Sequence, residues 1–549
     1  MMRWGTWRRF TATTLTIVLT VSLLAACSFG KNNANEGDQE RVLRIAYSGG
    51  YTSSYGDWLR TQYTEIFEWV NPNIKVEFIE NMDTSGNYNY MRSNSSQETT
   101  KTPMELLNEE LDGSNPPDVI IMEYGDMKQL VRDNRLTPLD PLMTKSKMNT
   151  EEYVPSVIEA LKKNAEDGKI YGLSPLFSSS VLGYNKKLFT DSGLAYPTDG
   201  MTWDEVFNLA RQVSKGEGSD RTYGFSFSNY RYNDMFYDMN TYAAPLDLRI
   251  WDEKGEKMMV NTPEWVKVWQ TIYELKKEKI FPEQPDWSQP QPEQQNPFEY
   301  NSMLSGKVGM MILNYWDLTE IINTNRNAAN IENFNEVDWD IVSVPYHESA
   351  PNVGGYVNLS GIMGVTSNAQ NPDDAWAFIE FIMSEKWAQS KSKSAQQLVT
   401  WKKYNEPLNG LDYNMEAFFV NTPATNNMDY NDLWRTKPDI SQAQWIGQTK
   451  FQEVVNGDKT VEEALKEWET EGDAILQRLM DNNGTLGEDY WNNLYNGNGT
   501  DSISVEKMRV MEAAGELPPG SVEEATDEFV EESADETVTD EAVAEGATE

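Results

Sequence analysis

The chain of 549 residues has almost no cysteine and almost no histidine: Cys27 and His347 stand alone. One thiol allows no internal disulfide and no cysteine metal site. One imidazole allows no histidine cluster for zinc. A Ser-His-Asp triad would have to use His347, and Val344-Pro345-Tyr346-His347 has no nucleophile elbow beside it. A Walker-type phosphate loop, a Gly-x-Gly-x-x-Gly turn after a strand and an Asp-x-Asp-x-Asp-Gly calcium loop are also missing, so no cofactor and no metal is expected. Basic residues are scarce: 46 Lys and Arg face 87 Asp and Glu, for a net charge of −41. Residues 1–26 hold Arg3, Arg8 and Arg9 and no acid, while residues 511–549 hold 14 acids and no base. The body between them is therefore strongly acidic. Such a body binds nucleic acid poorly, because phosphate neutralisation needs Lys and Arg. Anionic lipid headgroups repel it as well. No apolar run reaches the roughly 18 residues that a membrane-spanning helix needs.

The lone cysteine is well placed. Ahead of it lie three arginines, then a short apolar, threonine-rich run from Thr11 to Leu24, then Leu24-Ala25-Ala26-Cys27. This is the layout of a secretory signal with small residues before the cut. The cysteine after them resembles a bacterial lipobox, which implies a diacylglyceryl group on Cys27 as the new N-terminus. Several acyl chains anchor stably where one is marginal. Arg8-Arg9 hints at twin-arginine export, but the flanking residues favour the general route.

Residues 1–26 thus read as a lipoprotein signal peptide and 27–40 as a polar tether. Residues 511–549 read as an acidic disordered tail, rich in Glu, Asp, Ala and Thr. Between them, β-branched runs alternate with amphipathic stretches. Val42 to Tyr47, Ile74 to Ile79 and Asp118 to Met122 read as strands. Tyr55 to Val70 reads as a helix that places Trp58, Gln62, Ile66 and Trp69 near one face. Strand, helix, strand with crossover helices means an α/β fold with parallel pairs, and this length suggests two lobes. Asn81 to Thr102 and Glu283 to Pro297 read as loops or insertions.

Local signals refine this. Gly168 allows a tight turn, after which Lys169 to Leu173 is expected to re-enter the sheet. Thr202 ahead of Trp203-Asp204-Glu205 is a capping box. Gly306 and Gly309 are expected to turn the chain sharply into Met310 to Leu313. Asn371 before Pro372 reads as a helix cap with proline at the first helical position.

Four stretches stand out, in order: Pro117 to Met122 with Leu136-Thr137-Pro138-Leu139; Asp167-Gly168-Lys169-Ile170-Tyr171-Gly172 continuing through Gly183 to Phe189 and Met201 to Glu205; Ser305-Gly306-Lys307-Val308-Gly309-Met310-Met311 ending in Asn314-Tyr315-Trp316; and Gly354-Gly355-Tyr356 with Asn371 to Ile379. Together they resemble the extracellular solute-binding proteins of ABC importers, in particular the maltose-binding-like family 1. A closing stretch, Val455-Asn456-Gly457 to Leu465, is similar to the family's last helix pair. The resemblance implies a two-lobe periplasmic-binding-protein-like fold with a hinge and an interlobe ligand cleft. It implies lobe 1 at residues 41–175 plus 347–395 and lobe 2 at 176–346 plus 396–505. Crossings are then expected near Gly172 to Ser180, Val344 to Glu348 and Gln389 to Tyr404.

Position selects ligand candidates, because loops after parallel strands line the cleft of an open α/β sheet. Ser48 and Tyr51 follow the first strand, and Tyr124 and Asp126 follow the Val119 strand. Sugar recognition needs this mixture: ring faces stack on aromatics while carboxylates and amides take the hydroxyls. In the family resembled, a Trp follows the Gly-Lys-x-x-Met strand, which implies Trp316, and an aromatic opens the helix before the Asn-Gly turn, which implies Trp445. Asn229, Tyr230 and Tyr232 lie where a family aromatic contacts sugar, and Tyr356 is a candidate from the hinge side. Maltose binders carry an acid at the first crossing, where this chain has Phe177-Ser178-Ser179, and a base after the position of Asp126, where Met127 stands. Those departures separate it from maltose itself.

The expectation is therefore a monomeric, lipid-anchored receptor on the extracellular face of the bacterial cell membrane, passing a carbohydrate to an ABC transporter permease. It is not an enzyme on this reading. A surface glycoside hydrolase remains the alternative at this point, since paired carboxylates are easily found among so many acids. An adhesion or scaffold protein is a third class, for fold alone does not set function.

Overall fold

The computed structural model describes residues 40–49, 53–79, 103–230, 235–283, 296–354, 358–394, 397–421, 433, 436–487 and 490–491. Cys27, the signal, the tether up to residue 39 and the acidic tail lie outside these residues, as does the Asn81 to Thr102 stretch.

Eleven strands form three sheets among the described residues. They are β1 (Arg41–Tyr47), β2 (Ile74–Phe78), β3 (Val119–Met122), β4 (Leu176–Ser178), β5 (Ser180–Asn185), β6 (Tyr223–Ser226), β7 (Val308–Asn314), β8 (Trp339–Ser343), β9 (Asn358–Ser360), β10 (Ile362–Val365) and β11 (Leu398–Val399). The first sheet has the order β10-β3-β1-β2, the second β6-β7-β5-β8, and a small strip β11-β4-β9 lies between them in the chain. Strands β2 and β3 both run parallel to β1, as crossover helices demand, and β10 closes the edge antiparallel. The helices used below are α1 (Tyr124–Arg132), α2 (Trp203–Val213), α3 (Pro263–Lys277), α4 (Tyr315–Arg326), α5 (Pro372–Ile382), α6 (Ser441–Asn456) and α7 (Val461–Asp481).

Two hydrophobic cores hold this together. One surrounds the first sheet through Leu43, Ile45, Ile120 and Ile362 and reaches one face of the second through Val181, Met311 and Leu313. The other takes the opposite face through Leu182, Met310 and Ile312, with Trp203, Trp269 and Trp468 from α2, α3 and α7. Successive residues of a strand point to opposite faces, so Met310 and Ile312 serve one core and Met311 and Leu313 the other. That explains the unbroken apolar run of β7: a strand covered on both faces has no polar side.

The helix from Ser53 to Val70 contains a π turn at Arg60–Thr64. Its buried side is Leu59, Tyr63 and Phe67, so Trp58, Ile66 and Trp69 do share a face, and it is the solvent face. Gly168 makes its turn at φ +69°. The residues after it form no strand; Leu173 alone bridges to Met363. Gly306 turns at φ +71°, but Gly309 lies inside β7, where a Cβ would meet a Val213 methyl at 2.6 Å; its role is close packing. Asn371 precedes α5 as expected. Its side chain donates to the Val42 carbonyl (3.1 Å) instead of capping, while its N–H donates to Asp118 (2.7 Å).

Trp203 N–H donates to the Tyr346 carbonyl (3.1 Å) and His347 Nε2 lies 2.6 Å from the Tyr242 carbonyl, so residues 346–347 stay with the second sheet. Val154 N–H donates to the Thr400 carbonyl (2.8 Å) and Tyr153 bridges to Trp401, which keeps 400–401 with the first.

Candidate functional site

Strand register brings the two halves of the site to one place. Met122, the last residue of β3, is paired with Ile362 of β10. Ser360, two residues earlier in the chain, is paired with Leu176 of β4. Two residues beyond the end of β4, Ser180 opens β5 opposite Asn314, the last residue of β7. The C-terminal ends of β1 and β3 in one sheet and of β6 and β7 in the other therefore converge on the β4–β9 strip. Open α/β sheets bind ligands at such ends.

On the first sheet, Ser48 is 2 % exposed. Its hydroxyl donates to the Asp126 carboxylate (2.5 Å) and accepts the Glu123 N–H (3.2 Å), which fixes the start of α1 against the end of β1. Tyr47 hydrogen-bonds to the Glu123 carboxylate. Tyr124 turns inward: its hydroxyl donates to the Ala160 carbonyl (2.9 Å), and Asn164 donates to its carbonyl (2.6 Å). Burial raises the Tyr124 pKa. Its bonds serve the lobe, and Tyr47 and Glu123 are the groups left near solvent.

On the second sheet, Asn314 and Asp317 form a capping box at the start of α4. Trp316, between them, is 58 % exposed. Glu320 follows one turn later on the same face as Trp316. Tyr230 donates to Glu320 at 2.5 Å, so Trp316, Glu320 and Tyr230 form one group. Burial, then the bond to the Glu320 carboxylate, raises the Tyr230 pKa. The other Glu320 oxygen is buried with no hydrogen-bond partner among the described residues. Asn229 is 3 % exposed and wholly engaged: its amide donates to Asp317 (3.2 Å) and its side-chain oxygen accepts the Met303 N–H (3.4 Å). It pins the loop that carries Tyr230. Burial raises the Asp317 pKa to about 6. Trp445 stands exposed on α6. Tyr51, Tyr232 and Tyr356 lie outside the described residues.

Sequence reasoning missed Tyr47 and Glu320. Tyr47 ends a strand as an alternating residue, and only the register shows that it meets Glu123. Glu320 had a signal in its four-residue spacing from Trp316. Two cavities lie away from these strand ends. One of about 300 Å³ is lined by Trp203, Tyr242, Lys267 and His347, and one of about 440 Å³ lies between α4 and Tyr413. Burial lowers the His347 pKa, and its part-buried ring packs on Tyr242 with centroids 4.5 Å apart.

The fold and the chain match known proteins. The open form of a sugar transporter from Rhizobium etli superposes with a TM-score of 0.52 at 19 % identity, covering 79 % of this chain and 98 % of that one. The sugar-binding protein MalE from Xanthomonas citri gives 0.53 at 17 % identity, covering 80 % and 98 %. Both are two-lobe binding proteins, and this chain has the same α/β fold. In sequence, the sn-glycerol-3-phosphate-binding periplasmic protein of Brucella abortus is 22 % identical over 169 residues, 30 % of this chain and 39 % of that relative, so the match spans well under half the relative's length. A profile of bacterial extracellular solute-binding proteins matches residues 53–389, more than half of the chain. The chain belongs to the bacterial extracellular solute-binding protein family.

Proposed function

We propose that this protein is a lipid-anchored receptor that binds a carbohydrate, an oligosaccharide, between its lobes and delivers it to an ABC transporter permease. The observation that carries the ligand class is the group at the end of β7: the exposed Trp316 beside the Tyr230–Glu320 pair. An indole face stacks on a sugar ring, and a paired hydroxyl and carboxylate beside it offer hydrogen bonds to the ring's hydroxyls. Tyr47 with Glu123 and Ser48 with Asp126 repeat the hydroxyl–carboxylate pairing across the strip. Trp445, Tyr51, Tyr232 and Tyr356 complete the proposed lining. The likeness to the Rhizobium sugar transporter and the Xanthomonas sugar-binding protein supports the same class.

Anchoring is read from Leu24-Ala25-Ala26-Cys27, with residues 27–40 as tether and the receptor as a monomer at the outer face of the membrane. Lobe 1 is drawn on the first sheet and lobe 2 on the second. The receptor carries out no covalent chemistry.

A thermal-shift and calorimetry screen of the mature chain tests this with mono- and oligosaccharides, peptides and glycerol-3-phosphate. A ligand at a hundredfold excess over Kd stabilises the fold by about 2.7 kcal/mol. An oligosaccharide shift without turnover is expected. Product formation would move the protein to the glycoside hydrolases, and a shift by glycerol-3-phosphate or peptide alone would replace the ligand class.

A further inference from the structure

The helical segment before β2 turns apolar side chains outward. Trp69 is 82 % exposed, Ile66 45 % and Val70 46 %. Residues spaced three and four apart share a helix face, so these three form one stripe. A single exposed apolar residue means little, but a contiguous stripe that includes tryptophan marks an interaction surface.

Its place in the fold narrows the partner. Asn71, Pro72 and Asn73 lead from the stripe into β2, and the Arg41 N–H that opens β1 donates to the Asn73 carbonyl (2.8 Å). The stripe therefore borders the point where residues 27–40 join the fold. Because β1, β2 and β3 are parallel, Ser48 and Glu123 lie at the other end of the sheet. The seven residues of β1 alone separate the two ends by roughly 20 Å. The stripe cannot touch a ligand at the strand ends.

We propose that Ile66, Trp69 and Val70 dock on the surface of the lipid bilayer. The inference rests on the reading of Cys27 as the anchor. A tether of this length spans at most about 50 Å fully extended. It therefore holds the stripe near the headgroups at high effective concentration, where weak insertion is enough. Tryptophan favours the headgroup level, where its ring is half apolar and half polar. Glu65 beside the stripe and the acidic body select zwitterionic over anionic lipid.

The single thiol supplies the test. Chain 27–549 without its lipid is coupled through Cys27 to a maleimide lipid in phosphatidylcholine vesicles, with or without brominated acyl chains. Bromine should quench part of the tryptophan emission, and Trp69→Ser should reduce that quenching at least twofold. Equal quenching in both proteins, or none in either, overturns the docking. Trp69→Ser is at an exposed site and should keep the wild-type circular dichroism and melting temperature. Mass spectrometry of Cys27 in the protein from its native membrane tests the anchor separately: an unmodified thiol would end the anchor reading while the coupled-vesicle result still decides the docking.

Discussion

Asn314 and Asp317 cap each other across the first turn of α4. The Asn314 side chain accepts the Asp317 N–H at 3.1 Å, and the Asp317 carboxylate accepts the Asn314 N–H at 2.8 Å. The exchange satisfies two donors that a helix start leaves unpaired, and it fixes the direction in which Trp316 leaves the helix. Trp316→Ala should therefore weaken ligand binding at least tenfold in calorimetry. With more than half of the indole in solvent, apo stability should stay within about 0.5 kcal/mol in urea unfolding. A large stability loss with unchanged affinity would make Trp316 a packing residue.

The same Asp317 predicts a pH dependence. Its folded pKa is about 6, raised by burial from an ordinary 3.8. Below pH 4 both states carry the proton and the group costs nothing. Between pH 4 and 6 the unfolded chain ionises first, so stability falls as pH rises, by roughly 3 kcal/mol in all. Asp317→Asn cannot ionise. The wild-type minus variant difference in unfolding free energy should change across that interval and level off above it; a flat difference would contradict the burial of the charge.

Lys450 and Glu471 are 8 % and 5 % exposed and lie 3.0 Å apart between α6 and α7. Glu467 joins Lys450 at 3.1 Å, and Lys459 bridges Glu467 and Glu453. Lys450→Met removes the ammonium from a buried carboxylate, which should cost about 3–5 kcal/mol in urea unfolding. Adding Glu471→Leu should recover much of that loss, because the cost lies in the stranded charge.

Gly447 faces the Trp468 ring across the same helix pair, and a Cβ there would lie 2.4 Å from a ring carbon. The ring is pinned in place, since Trp468 Nε1 donates to the Ala443 carbonyl at 2.7 Å. Gly447→Ala gains helix propensity, yet overpacking should outweigh it and lower stability by about 1–3 kcal/mol. A variant as stable as the parent would show that α6 and α7 can separate freely.

How much of this was legible beforehand depends on the range of each interaction. The Thr202–Glu205 box was readable because both partners sit within four residues, and both of its bonds form. The strands β1, β2 and β3 were readable from alternation and composition. Which face of the Trp58–Trp69 helix is buried was not: a π turn shifts the phase, and the core takes Leu59, Tyr63 and Phe67. Asn371 looks like a cap, but its side-chain amide donates to the carbonyl of Val42, far away in sequence, and its oxygen caps no helix N–H. In the candidate site, Trp316 came from its motif. The contacts that define its surroundings, Tyr230 with Glu320 and Asn229 with Asp317, join residues some 90 positions apart. No local pattern encodes them.

The β11-β4-β9 strip has a consequence for synthesis. It laces residues 177, 359 and 398 into one ladder, and β10, which completes the first sheet, arrives only at residue 362. Contacts so distant along the chain form late and slowly. A polypeptide emerging from its N-terminus must wait for about two thirds of its length before either ladder can close. Until then the first lobe lacks an edge strand and has no strip to lock it, so the growing chain stays pliable enough to be threaded.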